Sequence, residues 1–342
     1  MAANYWTSSQ RKHWTMTREK LAETRQNLDM ADEKALATFP LPSYRHLSIF
    51  FHLQLVRLGR RMTARQQALA TAQMYVRRFY TKVPIRDTNP FLVMATCLYL
   101  ALKMEECPQH IRIVVSEART CWPEAMPSFT EKLAECEFWV ISELNSYLIV
   151  HHPYRTLQEL STPLALTTEE NNTSWQIIND SCITDLPLIY PPHVISLTAI
   201  FLAVFMKPSP SGNNSNNHGA HGANMGNHSS HNSHNGHSSG HSSMASHNTL
   251  GGSSHGAGAA LSSYAAGSGS QTSRMAKLIE WYAESKVDME AIIDCVQEIM
   301  ALYEVWEGFG MQQEKALKDI FVKMVKNPQP SQPQQQLLQR SG

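Results

Sequence analysis

Apolar positions along this chain recur at i, i+3, i+4 and i+7, and strand-like alternation is nearly absent. The pattern predicts a series of helices. Trp14, Leu21, Thr24 and Leu28 share one face of an N-terminal helix. Leu47 to Leu58 forms another, with Gly59 as its stop. Ala64 to Lys82 is a third. Asn89-Pro90 marks a helix start, with Asn as N-cap and Pro in the first turn, and Phe91 to Met104 follows. That stretch is apolar on nearly all sides, which places it at the centre of a bundle. His110 to Arg119 is a short helix. Ser128 and Glu131 have the spacing of a capping box, opening a helix to about Asn145. Positions 44–146 therefore hold five helices joined by short turns.

Five more follow in similar order: Tyr154 to Leu160, Trp175 to Leu188, the run opened by Pro192, "MAKLIEWYAES", and a helix capped by Asp288. Sliding the chain by 102 residues aligns Pro90 with Pro192, Thr96 with Thr198, Leu100 with Leu202, Ala101 with Ala203 and Met104 with Met206. Each of these helices follows one that ends in an aromatic, Tyr80 or Tyr190. A period near 100 residues is too long for a solenoid and suits two copies of one helical domain. The fold expectation is all-α: two tandem five-helix repeats, an N-terminal helix and a short C-terminal helix. The domain expectation is a segment 1–42, a first repeat 43–150, a second repeat 151–326 interrupted at 208–273, and a Gln/Pro-rich tail 327–342.

Residues 208–273 break every pattern. They are Gly, Ser, Asn and His, with nine of the sixteen histidines, and lack the apolar content that repays chain ordering. Disorder is expected there and in the tail. Deleting 212–270 is expected to leave function intact, since loop closure costs little extra with length.

Net charge is zero, which argues against a dedicated nucleic-acid binder. The balance is uneven: residues 1–82 carry 14 Lys or Arg against 5 Asp or Glu, hence +9, and the remainder is −9. Such a basic front third suits phosphate, an acidic protein surface, or plain solvated helix faces. The six cysteines form no CxxC pair, which disfavours a zinc ribbon, and their scatter suits small apolar residues in a reduced protein. No apolar run is long enough to span a bilayer, and no apolar signal core opens the chain. There is no phosphate loop, nucleophile elbow or ordered metal-ligand pair. Glu105 and Glu106 are adjacent, so they point to different helix faces and make a poor acid–base pair. No catalytic residue, metal or cofactor is expected.

Lys103 stands out. It is a charge at the end of the most apolar helix, and the repeat places Phe205 in its register. Packing alone does not require a lysine there. A cation near a helix C-terminus is also favoured by the dipole and can snorkel to water, so position and repeat leave both readings open.

"LVRLGRRMTARQQALATAQMYVRRFY", "ATCLYLALKMEE" and "ECEFWVISELNSYLIVHHPYRTL" resemble a first cyclin box. "NYWTSSQ", "IVHHPYR", "DLPLIYPP", "VDMEAI" and "LYEVWEGF" are similar to the cyclin C family, the cyclin of the Mediator kinase module. The likeness runs over 1–207 and 274–326. It implies two cyclin boxes and a non-catalytic subunit that binds and activates a cyclin-dependent kinase. It also implies a nuclear protein, a partner for other Mediator kinase-module subunits, that tunes RNA polymerase II transcription up and down, with no direct nucleic acid and no membrane. By resemblance, Lys103 and Glu137 hydrogen-bond to the kinase, Met104, Glu105, Glu106 and Ile141 border them, and Tyr5 and Trp6 add N-terminal contacts. The substrate-docking Arg and Trp of many cell-cycle cyclins are missing from Leu47 to Gln54, so Phe50 and Phe51 are expected to pack internally. Competing readings are a IIB-type factor gripping promoter DNA, or a cyclin for another transcriptional kinase.

Overall fold

The computed structural model describes residues 4–30, 33–205 and 276–327, all helical or connecting segments without a strand among them. The His-rich insertion, the Gln/Pro tail beyond residue 327 and Met206 lie outside the described residues. Described residues fall in two compact units, Met1–Lys207 with Lys286–Gly342, and Pro208–Ser285. In the second unit residues 276–284 form a helix, α12. All other elements belong to the first.

The chain begins with two short turns, Tyr5–Thr7 and Gln10–Trp14. Helices α1 (Arg18–Met30) and α2 (Glu33–Thr38) follow. Trp14 therefore precedes α1 rather than sharing its face with Leu21, yet both are buried. The first repeat is α3 (Tyr44–Arg61), α4 (Gln66–Phe79), α5 (Pro90–Met104), α6 (Ile111–Cys121) and α7 (Thr130–Glu143). Helix α5 is buried on almost every side and packs against α3, α4, α6 and α7. Its start is as expected: the Asn89 side chain accepts from the amides of Phe91 and Leu92 at 3.1 and 3.2 Å.

Three local expectations fail for identifiable reasons. Gly59 does not stop α3; the helix runs through it, and a Cβ there would lie 2.4 Å from Leu69 Cδ2. The glycine serves a close crossing of α3 and α4. Ser128 caps nothing, because α7 starts two residues later after an uncapped Phe129. Trp175 to Leu188 is two helices, α9 (Thr168–Ser181) and α10 (Leu186–Ile189), and α9 opens at an unforeseen capping box of Thr167 and Glu170.

The second repeat continues with α8 (Tyr154–Ser161), α9, α11 (Pro192–Phe205) and α13 (Met289–Glu307). Helix α11 packs against α8, α9 and α13, as α5 does against α3, α4 and α7. The 102-residue offset carries α4 onto α9 end to end, and sets the starts of α5 and α11 in register. Tyr190, by contrast, ends the extra helix α10 and has no counterpart in Tyr80. A finer match marks the duplication. The Cys136 thiol of α7 lies against the Thr96 hydroxyl of α5, and the Cys295 thiol of α13 lies against Thr198 of α11. Burial pushes these thiols up, to about 11 and about 12. All six cysteines are free, and four are buried as small apolar groups.

Helix α14 (Met311–Lys326) has 16 residues, longer than expected. Its Phe321 ring meets Phe50, Phe51 and Phe91, with centroids 5.3, 5.9 and 6.3 Å away. Phe50 and Phe51 are thus internal, and the first helix of the repeat is covered by a flanking helix.

Candidate functional site: the α5–α7 corner

Helix α5 ends in a Schellman motif. Cys107 N–H donates to Leu102 O at 2.9 Å, and Glu106 N–H to Lys103 O at 3.3 Å. Glu106 takes the left-handed position at φ 54°, where glycine is the usual residue. Helix α7 ends the same way, with Ser146 N–H on Ile141 O and Asn145 N–H on Ser142 O, both at 2.9 Å. Two helices that pack against each other thus carry their last turns to the surface on fixed backbones.

Lys103 and Glu137 meet across these helices as an ion pair. The Glu137 side chain is only 12% exposed and that of Lys103 38%, so the acid is largely desolvated and the amine reaches water. Lys103 Nζ also stands 4.5 Å from the centre of the Tyr99 ring, one turn back on α5. Tyr99 was invisible to sequence reasoning as a site residue, although its i, i+4 spacing from Lys103 could have marked it.

Apolar side chains neighbour the pair along both helices. Met104 is 38% exposed, and Ile141, one turn beyond Glu137, is half-buried. Phe138 is 75% exposed, and Ile149 beyond α7 is exposed as well. Sequence reasoning missed Phe138. The buried face of α7 is Leu133, Cys136 and Val140. An aromatic at 138 falls off that face, and this was the available signal.

Glu105 and Glu106 part company. Glu106 is exposed. Glu105 turns inward: its oxygens accept from Gln67 Nε2 at 2.7 Å and Thr71 Oγ1 at 2.6 Å, with His152 Nε2 3.7 Å away. Burial opposes its charge, but the bonds from His152, Thr71 and Gln67 hold its carboxyl below the usual range. Its side chain ties the end of α5 to α4 and to the segment linking the repeats. That leaves it poorly placed for direct contact with a second molecule.

Tyr5 and Trp6 sit elsewhere on the first unit. The Tyr5 ring packs edge-on against His151, centroids 5.7 Å apart, and Trp6 against His193 at 5.6 Å. Gln10 fastens this turn by accepting from His151 N–H at 2.7 Å. Tyr5 is half-buried, and Trp6 is 54% exposed. Nothing places them beside Lys103. No group of three or more His, Cys, Asp or Glu among the described residues could hold a metal ion. No described helix is long and apolar enough to cross a membrane.

The sequence pattern of the cyclin N-terminal domain matches residues 13–149, which spans the α5–α7 corner. The chain is 49% identical to the RNA polymerase II holoenzyme cyclin-like subunit of Aspergillus terreus, over 96% of this chain and 98% of that protein. It is 51% identical to the same-named subunit of Aspergillus fumigatus over 95% and 98%, and 47% identical to that of Neurospora crassa over 94% and 98%. The chain belongs to this cyclin family. Among solved structures, a chain of the CAK complex from Chaetomium thermophilum bound to ATP-gamma-S is similar at TM-score 0.49 and 23% identity, over 58% of this chain and 68% of that chain. As a cyclin, the protein has the all-α tandem-box architecture that the helix count implied.

Proposed function

We propose that this cyclin is the activating, non-catalytic subunit of a cyclin-dependent kinase in the Mediator kinase module. In this role it acts in the nucleus, with other subunits of that module, to raise or lower RNA polymerase II transcription. The relatives' shared name, RNA polymerase II holoenzyme cyclin-like subunit, supports the transcriptional setting. The observation that carries the kinase-binding role is the Lys103–Glu137 pair, set among Met104, Ile141 and Phe138 on two helices packed against each other.

The mechanism follows from that arrangement. A protein kinase works only when its active-site lysine pairs with the glutamate of its regulatory helix. That helix can swing away. A partner that binds only the inward position shifts the population towards it, by no more than its differential affinity. A packed bundle is a suitable clamp because it deforms little. Met104, Ile141 and Phe138 supply apolar area. Lys103 and Glu137 exchange part of their mutual attraction for polar groups of the kinase and so fix its register. Glu106 lies at the rim. Glu105 holds the end of α5 from behind through Thr71 and Gln67, and Tyr5 and Trp6 reach kinase or module surfaces beyond this corner.

The test is to purify the tagged full chain from nuclear extract, as wild type and as Lys103→Glu. Wild type is expected to recover one cyclin-dependent kinase with Mediator subunits. The variant is expected to stay folded by circular dichroism and lose the kinase, since breaking a desolvated charged contact costs on the order of 2–5 kcal/mol. A folded variant that recovers and activates the kinase fully would sink the assignment. Recovery of promoter DNA and the TATA-binding protein without a kinase would replace it by a IIB-type role.

A further inference from the structure

The charge asymmetry of the sequence is not used by the α5–α7 corner. Much of it is absorbed inside the fold. Arg18, Arg25, Arg45, Arg57, Arg61 and Arg77 all meet carboxylates, most of them on distant elements. Among the described residues, four cations of residues 1–82 lie on or beside one turn with no carboxylate partner: Arg78 and Lys82 over Trp14, and Arg11 and Lys12 in the turn that carries it, the Arg11 guanidinium carbon standing 5.4 Å from the centre of the Trp6 ring. The Arg78 guanidinium carbon and Lys82 Nζ stand 5.2 and 5.4 Å from the centre of the Trp14 ring. Arg11 and Lys12 precede Trp14 in the same short turn, and His13 stacks on Tyr147 at 4.5 Å. Arg11, Lys12, His13 and Lys82 are exposed, and Arg78 is fully buried beneath them.

The elements that build this cluster contain no acid. There is no Asp or Glu in residues 1–18, none between Glu33 and Asp87, and none in 144–158. Beneath the surface the cluster has unused donors. Arg78 gives Nη1 to Tyr147 O at 3.2 Å, but its Nε and Nη2, and the Trp14 Nε1, are buried without an acceptor among the described residues. Burial lowers the Arg78 guanidinium to about 10, with only the Tyr75 side chain acting against it. Burying a cation without a counter-ion is costly, and the structure supplies only an aromatic face and one carbonyl in return. The turn itself is pinned by Gln10 to the His151 backbone and by Met16 N–H to Leu188 O at 2.9 Å. It is a positioned surface and not a loose basic tail.

We propose that the Arg11, Lys12, His13 and Lys82 surface docks a carboxylate-rich segment of a partner protein, separately from the kinase contact at Lys103. Several cations set on a folded aromatic platform raise the on-rate and affinity for an acidic chain, with a strong dependence on salt. A carboxylate source is favoured over nucleic acid because the patch is small and the chain as a whole carries no net positive charge.

The full chain is titrated into a short labelled Glu/Gly peptide, its Gln/Gly counterpart and a short DNA duplex, with fluorescence anisotropy at low and physiological salt. Binding of the Glu peptide is expected, at least tenfold weaker for the Gln peptide, and weakened about tenfold or more in Arg11→Gln/Lys12→Gln/Lys82→Gln. A control removing the same charge elsewhere, Arg60→Gln/Arg65→Gln/Lys315→Gln, should change affinity by less than about twofold. All six side chains are exposed, so both variants should fold. The proposal is overturned by no binding of the Glu peptide, by equal loss in the two triple variants, or by tighter binding of the duplex with loss in the first variant.

Discussion

The two repeats share a framework and differ in what they place on it. Both keep a central helix opened by proline and a threonine–cysteine contact to the last helix of the box. With those contacts as register, Tyr99 and Lys103 of α5 stand where α11 has Phe201 and Phe205, and Glu137 of α7 where α13 has Val296. In the first repeat the four-residue spacing holds a cation over a ring. In the second it holds two rings 4.7 Å apart. The bundle closes equally well over an ion pair or over apolar groups, so the charges at the α5–α7 corner answer to something other than folding. The interiors differ too. Arg78 of α4 and Asp180 of α9 share a register, and burial drives each towards its neutral form: the guanidinium down to about 10, the carboxyl up to about 6.

The largest expected effect tests whether α14 belongs to the first repeat. Phe321→Ala removes the ring seated on Phe50, Phe51 and Phe91 and is expected to cost about 3–5 kcal/mol, measured by urea unfolding. A loss below about 1 kcal/mol would show α14 to be dispensable. Next comes the corner itself. Replacing Lys103 and Glu137 by their second-repeat counterparts, Lys103→Phe with Glu137→Val, is expected to leave stability within about 1 kcal/mol, since both charges are removed together and apolar groups of the kind the second repeat carries take their place. Kinase affinity should fall by roughly 30-fold or more. Equal affinity with an intact fold would erase the functional difference between the repeats.

A smaller effect concerns Asp180, whose carboxyl is largely buried and accepts from Tyr303 at 3.0 Å. Burial raises it to about 6, so between its ordinary value and about pH 6 the native state binds the proton and the unfolded chain does not. Its contribution therefore favours folding at low pH and is lost as pH rises from about 4 through 6. Asp180→Asn keeps an acceptor for Tyr303. It should stabilise the protein at pH 7 by on the order of 1–3 kcal/mol and flatten stability across that window in thermal melts. Destabilisation at pH 7 would mean that the charge is compensated. The smallest effect is Glu106→Gly. The residue holds φ 54°, and glycine should raise stability by about 0.5–1 kcal/mol in the same melts. No gain would show that the left-handed turn carries no strain.

The sequence alone determined the helical periods, the duplication and the caps at Asn89 and Asp288, because these depend on residues close together in the chain. It also singled out Lys103, through a register argument that needed no coordinates. It misread Gly59 as a stop, because a glycine that admits a neighbouring helix looks the same as one that ends its own. By resemblance it set Glu105 and Glu106 together at the site; adjacency parts their helix faces but says nothing of which carboxylate finds Thr71 and Gln67. It held only a helical-face signal that Phe138 is exposed, and no sign that Lys103 reaches Glu137, 34 positions away. It counted +9 in the first 82 residues without telling which cations are neutralised. That was settled only when distant helices came together, for a salt bridge is a fact of spatial proximity, and proximity between remote positions is what folding adds to sequence.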